Sequence, residues 1–335
     1  MFGYRPAWNV RTAYISKRRA TSGCRVTELW RTAVSVRNSL RGRALRAACV
    51  VAGGALVLTA CTSNSDSNAP DVAKVDVSKV DTIAAKVPAD IKSSGKLLVG
   101  VNTPYSPNEY KDPGSGKIVG YDVDLMDAVA KVLGLSADYK EADFEKIIPG
   151  IEAGTYNLGM SSFTDNKERE KTADFVTYFT AGSQWAQQKG KTIDPNNACG
   201  KRVAVQRTTV QDTDEIPAKS AACVAAGKPE ITKVAYDEQS AAATALVNGQ
   251  VDAMSADSPV TAYAIKQNQG TIEPSGSIFD SAPYGWPVKK GSSIGPVLQE
   301  AVQYLIDNGQ YKKIAENWGV QDGVITKSVI NGAQG

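Results

Sequence analysis

Short apolar runs alternate with helix-patterned stretches between residues 93 and 320, and this alternation predicts an α/β protein. Residues 96–102 (KLLVGVN) have the length and apolar content of a strand. Residues 124–133 place apolar side chains at helical spacing on one face, namely at Leu125, Ala128, Val129, Val132 and Leu133. Strands that alternate with helices favour mainly parallel sheets covered by helices.

A helix, a glycine and a strand follow one another twice, in residues 144–162 and 240–257. Each strand ends eight positions after the glycine that ends its helix, at Ser162 in the first unit and at Asp257 in the second. In open α/β sheets, ligands bind outside the carboxyl ends of the strands. The two units therefore predict two lobes whose binding edges face each other.

Two aspartates lie close together in GYDVDL, residues 120–125. We interpret Asp124 as the N-cap of the following helix, because an aspartate side chain accepts hydrogen bonds from the first backbone N–H groups of a helix. Capping is favoured over the alternative, in which Asp122 and Asp124 form a catalytic carboxylate pair.

The first 60 residues have the layout of a secretory signal. They hold eleven Lys and Arg residues against one acid, and they end in a 14-residue apolar stretch at 47–60, which is too short to span a bilayer comfortably. The ending LTAC resembles a bacterial lipobox, in which the cysteine, here Cys61, receives lipid and becomes the new N-terminus. A buried helix that ends in cysteine is the alternative. The basic region is longer than a signal normally carries, so we expect translation to start at an internal valine codon, Val34 or Val36.

Residues 61–92 predict a flexible tether, because they are rich in Ser, Asp, Lys and Ala and contain no aromatic side chain. A lipidated cysteine, a tether and a soluble body together predict a lipoprotein at the outer face of the cytoplasmic membrane.

Charge and composition exclude several functions. Beyond the first 60 residues the chain holds 27 basic and 34 acidic residues, so this part is mildly acidic although the whole chain carries a net charge of +3. We therefore expect no nucleic-acid partner. The chain contains no histidine, which excludes histidine-based triads, general bases and metal sites. We expect no metal and no cofactor, while a carboxylate or lysine enzyme stays open.

One arginine is prominent in MSSFTDNKEREKTADF, residues 160–175. After Cys61 the chain has three arginines and 24 lysines, and Arg169 follows a cluster of hydroxyl side chains. A planar guanidinium makes two parallel hydrogen bonds to a carboxylate, which an ammonium does not. Arg169 is therefore a candidate carboxylate clamp, and the alternative is a solvated helix face made with its charged neighbours.

Four segments resemble, in order and spacing, the periplasmic binding proteins of ABC importers for polar amino acids. These segments are GYDVDL, SSFTDNKEREKTADFVTYF, NGQVDAMSAD and KKIAENWGV. In that family an arginine after the hydroxyl cluster holds the ligand α-carboxylate, and an aspartate ending the second-lobe strand holds the α-ammonium. The resemblance, which covers about residues 93–320, assigns these roles to Arg169 and Asp257. It assigns supporting or enclosing roles to Ser162, Thr164, Thr209, Tyr105 and Phe144.

The resemblance implies a two-lobe periplasmic-binding-protein fold, in which each lobe is a mainly parallel sheet flanked by helices. We predict lobe 1 at 93–183 and 286–323, lobe 2 at 184–285, a two-strand hinge near 182–187 and 279–288, and a C-terminal tail at 324–335. The implied partners are a small amino acid, a membrane permease and its ATPase, and the protein is expected to be a monomer.

The identity of the ligand depends on Asn102. Family members that bind cationic amino acids carry an acid at this strand end, so we expect a polar, uncharged ligand such as glutamine or asparagine, rather than lysine or arginine. An acidic ligand is the rival, because Arg207 is placed to pair with a side-chain carboxylate. The adjacent loop departs from the family pattern, since Thr208 stands where glycine is usual and Val210 has lost a hydroxyl.

Other classes share this fold, among them dehydratases that act on cyclic precursors of aromatic amino acids and sensory receptors. We expect no enzymatic activity, because membrane tethering suits import and no catalytic domain follows.

The last two cysteines, Cys199 and Cys223, are expected to form a disulfide. They are the only cysteines after Cys61, and an exported location is oxidising. Two free thiols are the alternative.

Overall fold

The predicted alternation of strands and helices is present in the computed structural model, which describes residues 73–334. The strands are β1 (Lys96–Val101), β2 (Tyr110–Lys111), β3 (Ile118–Val119), β4 (Ser136–Glu141), β5 (Leu158–Gly159), β6 (Ala173–Gln188), β7 (Arg202–Gln206), β8 (Thr232–Tyr236), β9 (Ala253–Asp257) and β10 (Ile272–Lys289). The α-helices are α1 (Asp81–Ala84), α2 (Ala89–Ser94), α3 (Tyr121–Val132), α4 (Phe144–Glu152), α5 (Ile216–Ala225), α6 (Gln239–Val247), α7 (Ser258–Gln267), α8 (Ile294–Asp307) and α9 (Gln310–Trp318).

The main sheet has the strand order β4-β1-β5-β10-β6-β9-β7-β8. On one side, β1 pairs in parallel with β4 and β5, and on the other side β7 pairs in parallel with β8 and β9. The two long strands β6 and β10 lie between these parallel groups and pair with each other in the antiparallel sense. Register shifts interrupt their pairing between Ser275 and Phe279 and between Phe279 and Ala282.

Each parallel group has its own hydrophobic core. On the first side, β1, α3, α8 and α9 contribute fully buried side chains such as Leu97, Leu125 and Leu298. On the second side, smaller clusters form around Trp185 and around Leu246. A strand or helix must bury its apolar face against another element, and here each group does so against its own helices.

Helix α4 shows how the sequence defines an element. Phe144, Ile147 and Ile151 recur at helical spacing and are buried. Gly154, just after the helix, has φ of 77°, a left-handed conformation that glycine adopts at little cost. The helix therefore has the predicted bounds and the predicted terminating glycine.

The predicted N-cap at Asp124 is wrong. Helix α3 begins after Gly120, and no side chain caps it. Asp124 lies in the first turn, and its Oδ2 accepts a hydrogen bond of 2.8 Å from Trp318 Nε1 on α9. Tertiary contacts between helices have thus recruited the side chain that local capping chemistry predicted for the helix end.

The predicted tether ends earlier than residue 92. The segment from residue 77 onward forms α1 and α2 and buries Val77, Ile83, Val87 and Ile91 in the first core. Apolar residues spaced along a polar segment are sufficient to dock it when a complementary surface is available. Cys61, the signal segment and the first part of the tether lie outside the described residues. Between residues 73 and 334, no helix is long and apolar enough to cross a membrane.

Cys199 and Cys223 form the predicted disulfide. It links the segment before β7 to α5, and both cysteines contact the core of the second side. The prediction from the number and position of the cysteines is therefore confirmed.

Candidate functional site

A narrow cavity opens where strands of both parallel groups end. The space between its walls measures about 220 Å³, including its opening toward solvent. Ten residues line it: Tyr105, Phe144, Ser161, Ser162, Thr164, Arg169, Thr209, Val210, Gln211 and Asp257. Seven of the eight residues that the sequence assigned to a ligand site are in this lining, and Asn102 is not.

Arg169 is held in a fixed orientation in the cavity wall. It begins a 3₁₀ turn, Arg169–Lys171, and its backbone N–H donates to Asn166 Oδ1 at 2.8 Å. Its guanidinium donates from Nη1 to the carbonyl of Thr164 at 2.8 Å and from Nη2 to the carbonyl of Thr208 at 2.9 Å. Because a guanidinium has five N–H donors, three remain for a ligand.

Two aromatic rings lie against the Arg169 guanidinium. Phe144 and Phe163 are stacked with centroids 4.3 Å apart, and the Cζ of Arg169 lies 5.7 Å and 5.5 Å from their centroids. This is the distance range of cation–π attraction. Burial lowers the pKa of Arg169 to about 10, and the negative charge of Asp257 opposes that shift. The side chain is therefore a cation at neutral pH.

Asp257 supplies the opposite charge. It is the last residue of β9 and is 6 % exposed. Its Oδ2 accepts hydrogen bonds from the hydroxyls of Tyr105 at 2.6 Å and Tyr284 at 2.7 Å, and its Oδ1 accepts one from Gln211 Nε2 at 2.9 Å. Burial raises the pKa of Asp257, and these three donors counteract the increase. A carboxylate has about four acceptor positions, so one remains for a ligand donor.

Ser162 and Thr208 both have left-handed backbone conformations, on opposite walls of the cavity. Their φ angles are 50° and 59°. Such values are uncommon outside glycine, and for a β-branched threonine they indicate a constrained backbone. The N–H of Thr208 donates to Asp212 Oδ2 at 2.8 Å, which helps to hold the turn. This geometry explains why glycine suits the position of Thr208 in the family pattern.

Two buried carboxyl groups lie beneath the serines of the cavity. Ser161 Oγ is 3.0 Å from Glu109 Oε1, and Ser162 Oγ is 3.3 Å from Glu109 Oε2 and 3.4 Å from Asp122 Oδ2. Burial raises the pKa of Glu109 well above its usual range, and the nearby charge of Asp122 raises it further. Burial also raises the pKa of Asp122 to about 7, although the Tyr178 hydroxyl donates to it. Asp122 is therefore a buried partner of Glu109 and not part of a helix cap.

Asn102 lies next to the cavity but forms bonds within the protein. Its Nδ2 donates to the Ala142 carbonyl at 3.1 Å, and its Oδ1 accepts from Gln206 Nε2 at 3.0 Å. Gln206 ends β7, so this bond joins the two parallel groups. Thr209 is in the cavity lining, and its Oγ1 donates to the Gln206 carbonyl at 2.7 Å.

Arg207 is directed away from this site. Its Nε pairs with Asp237 Oδ1 at 2.7 Å, and 52 % of its side chain is exposed. It does not line the cavity, so the structure gives no support to an acidic ligand that pairs with Arg207. Residues 73–334 contain no cluster of three or more His, Cys, Asp or Glu side chains arranged to hold a metal ion.

The comparisons with known proteins agree with this geometry. The family model for bacterial extracellular solute-binding proteins, family 3, matches residues 97–321. The chain belongs to this family. The arginine-binding protein ArgT of Corynebacterium glutamicum is 41 % identical over 292 residues, which are 86 % of this chain and 96 % of ArgT. The glutamine-binding protein GlnH of Bacillus subtilis is 30 % identical over 276 residues, 80 % of this chain and 94 % of GlnH.

Solved structures of this family have the same fold. An ancestral arginine-binding protein bound to arginine superposes with a TM-score of 0.62 at 32 % identity, covering 67 % of this chain and 98 % of the ancestral protein. An ancestral arginine-binding protein bound to glutamine gives a TM-score of 0.61 at 33 % identity, covering 68 % and 98 %. The family 3 protein described here is accordingly a two-lobe periplasmic-binding-protein fold and an amino-acid-binding receptor of the ABC-transporter type.

Sequence reasoning missed three residues of this family 3 site. Ser161 adjoins the hydroxyl cluster and could have been included on that ground. Gln211 lies two positions after Thr209, but nothing in the sequence shows that its amide reaches Asp257. Glu109 lies in a loop, and its position beneath Ser162 follows only from the fold.

Proposed function

We propose that this protein captures a polar L-α-amino acid outside the cytoplasm and delivers it to a membrane permease driven by an ATPase. One observation carries the proposal: a single cavity is lined by one cation, Arg169, and one anion, Asp257. An α-amino acid is a zwitterion, and each of its charges needs a buried partner of opposite sign.

The remaining donors and acceptors of the cavity suit the two ends of an amino acid. Arg169 has three free N–H groups for the α-carboxylate, with assistance from Ser162, Thr164 and Thr209. Asp257 has an acceptor position for the α-ammonium, while Tyr105 and Phe144 enclose the side chain. These roles follow the family pattern, and the geometry of the cavity supports them.

We propose that the two parallel groups are the two lobes, with residues 93–183 and 286–323 in lobe 1 and residues 184–285 in lobe 2. Arg169 belongs to lobe 1 and Asp257 to lobe 2, so a ligand that pairs with both stabilises the closed arrangement. Strands β6 and β10 form the hinge. Their register shifts between Ser275 and Ala282 supply a place where the backbone adjusts.

Glutamine is the first candidate ligand. The charges of Arg169 and Asp257 balance those of a zwitterion, and the cavity lining contains no further acid for a cationic side chain. The amides of Asn102 and Gln206 are close by, and amides match a side-chain amide in donors and acceptors.

Arginine is the second candidate, because ArgT, which is named as an arginine-binding protein, is 41 % identical to this chain. An arginine side chain would bring an unbalanced positive charge. Calorimetric titration of the purified protein with glutamine and with arginine decides between them. Tighter binding of arginine would refute the charge-balance argument, and no heat with any of the twenty amino acids would refute the proposed function. Turnover of a cyclic amino-acid precursor would instead favour an enzyme.

We further propose that the mature protein is a monomer held at the outer face of the cytoplasmic membrane by lipid on Cys61. The apolar stretch and the LTAC ending support this proposal. Cys61→Ala should abolish palmitate labelling and release the protein from membranes. Unchanged labelling would show that the lipid is attached elsewhere.

A further inference from the structure

The chain beyond the family match returns to the candidate site. Residues 328–333, here called the C-terminal strap, lie along the start of β6. Ile330 is opposite Val176 in an antiparallel bridge. The N–H of Thr177 donates to the Val329 carbonyl at 2.9 Å, and the N–H of Asn331 donates to the Phe175 carbonyl at 2.8 Å. The predicted tail is therefore bound to the lobe that carries Arg169.

The end of the C-terminal strap contacts both flanks of Arg169. The N–H of Gly332 donates to Asp165 Oδ2 at 2.6 Å, and the N–H of Ala333 donates to Glu170 Oε1 at 3.3 Å. Asp165 follows Thr164, whose carbonyl accepts the guanidinium, and Glu170 follows Arg169 directly. Two backbone donors of the C-terminal strap thus hold the turn on either side of the arginine.

The contact is closely fitted. A Cβ at Gly332 would lie 2.8 Å from Thr177 Cγ2 and 3.0 Å from Val329 Cγ2, closer than ordinary packing allows. Asn331 has φ of 57°, a conformation that asparagine tolerates better than most residues. Its Oδ1 accepts from the N–H of Phe175 and its Nδ2 donates to Asp174 Oδ1.

We propose that the C-terminal strap is a positioning element that holds Arg169 in register for the ligand carboxylate. This inference rests on the proposed function. A binding side chain must be held to within about 0.5 Å by its supporting residues, and the 3₁₀ turn of Arg169 is only three residues long. The turn has other supports, since Asp165 donates its N–H to the Pro283 carbonyl at 2.9 Å and Lys290 Nζ donates to the Glu170 carbonyl at 2.6 Å. Loss of the C-terminal strap contacts should therefore weaken binding and not abolish it.

The test compares two shortened chains with the intact protein by calorimetry with glutamine and with arginine. A chain that ends at Asn331 keeps the pairing with β6 and loses both donors to the turn. A chain that ends at Ala333 keeps both donors and also carries a new terminal carboxylate. We expect roughly tenfold weaker binding in the first chain, the scale of one lost hydrogen bond to a charged group, and near-native binding in the second.

Point variants separate positioning from general damage. Asp165→Ala removes the acceptor for Gly332 and should match the first shortened chain, whereas Asp165→Asn keeps a carbonyl acceptor and should retain native affinity. Combining Asp165→Ala with the first shortened chain should add little, because both remove the same contact.

Native affinity in the chain that ends at Asn331, or equal losses in Asp165→Asn and Asp165→Ala, would overturn the inference while the proposed function stands. An intact protein that binds no amino acid would overturn both.

Discussion

Arg169→Lys is expected to weaken amino-acid binding by roughly a hundredfold. Lysine keeps the charge but loses the fork that now spans the carbonyls of Thr164 and Thr208 while leaving donors for a ligand. The variant gives up one hydrogen bond from a cation to the protein and one arm of the carboxylate contact. At about 1.5 kcal/mol each, the loss is about 3 kcal/mol, or roughly two orders of magnitude in Kd.

The assay is calorimetric titration of the purified variant, with Arg202→Lys as the matched control. Arg202 pairs with Asp252 at 3.1 Å on an exposed surface and does not line the cavity, so its replacement should leave Kd unchanged. Near-native affinity in Arg169→Lys would refute the clamp and return Arg169 to the alternative of an ordinary surface cation. Equal losses in both variants would point to a general effect of replacing arginine.

Three further outcomes are expected. Asp257→Asn should weaken binding by at least a hundredfold, since removing one partner of a buried charge pair costs ~3–5 kcal/mol, and native affinity in a titration would contradict the role of Asp257. The raised pKa values of Glu109 and Asp122 mean that the folded state holds protons that the unfolded state releases above about pH 4. Their stabilising contribution is therefore present at low pH and is lost as pH rises toward 7 and above, so Glu109→Gln should flatten the decline of Tm over this range; an unchanged slope would contradict it. Reduction of the Cys199–Cys223 disulfide should lower the free energy of unfolding by about 3 kcal/mol, and an unchanged urea midpoint after complete reduction would contradict that estimate.

The sequence predicted the parts of the site that depend on position along a strand. Ser162 and Asp257 follow predicted strands, and parallel strands bring their carboxyl ends to one edge of a sheet. Arg169 was identified by its chemistry together with the family pattern. These residues required only periodicity, residue type and order, which a single chain displays directly.

Tertiary contacts determined what the sequence could not. Asp124 was predicted to cap a helix and instead bonds to Trp318, 194 positions away. Asn102 was expected to face the ligand and instead bonds to Gln206, 104 positions away in the other parallel group. Local patterns carry no information about such distant partners. The same reason explains why residues 77–92, polar in composition, were predicted to be a tether although four of their apolar side chains are buried.

The most direct test of the central claim is a comparison of glutamine with its decarboxylated analogue, 4-aminobutanamide, in calorimetric titrations of the intact protein. The analogue keeps the ammonium and the side-chain amide but has no α-carboxylate for Arg169. The account predicts that glutamine binds and that the analogue binds at least a hundredfold more weakly, a difference that Arg169→Lys largely removes. Equal affinities for the two compounds would contradict a site built around the carboxylate.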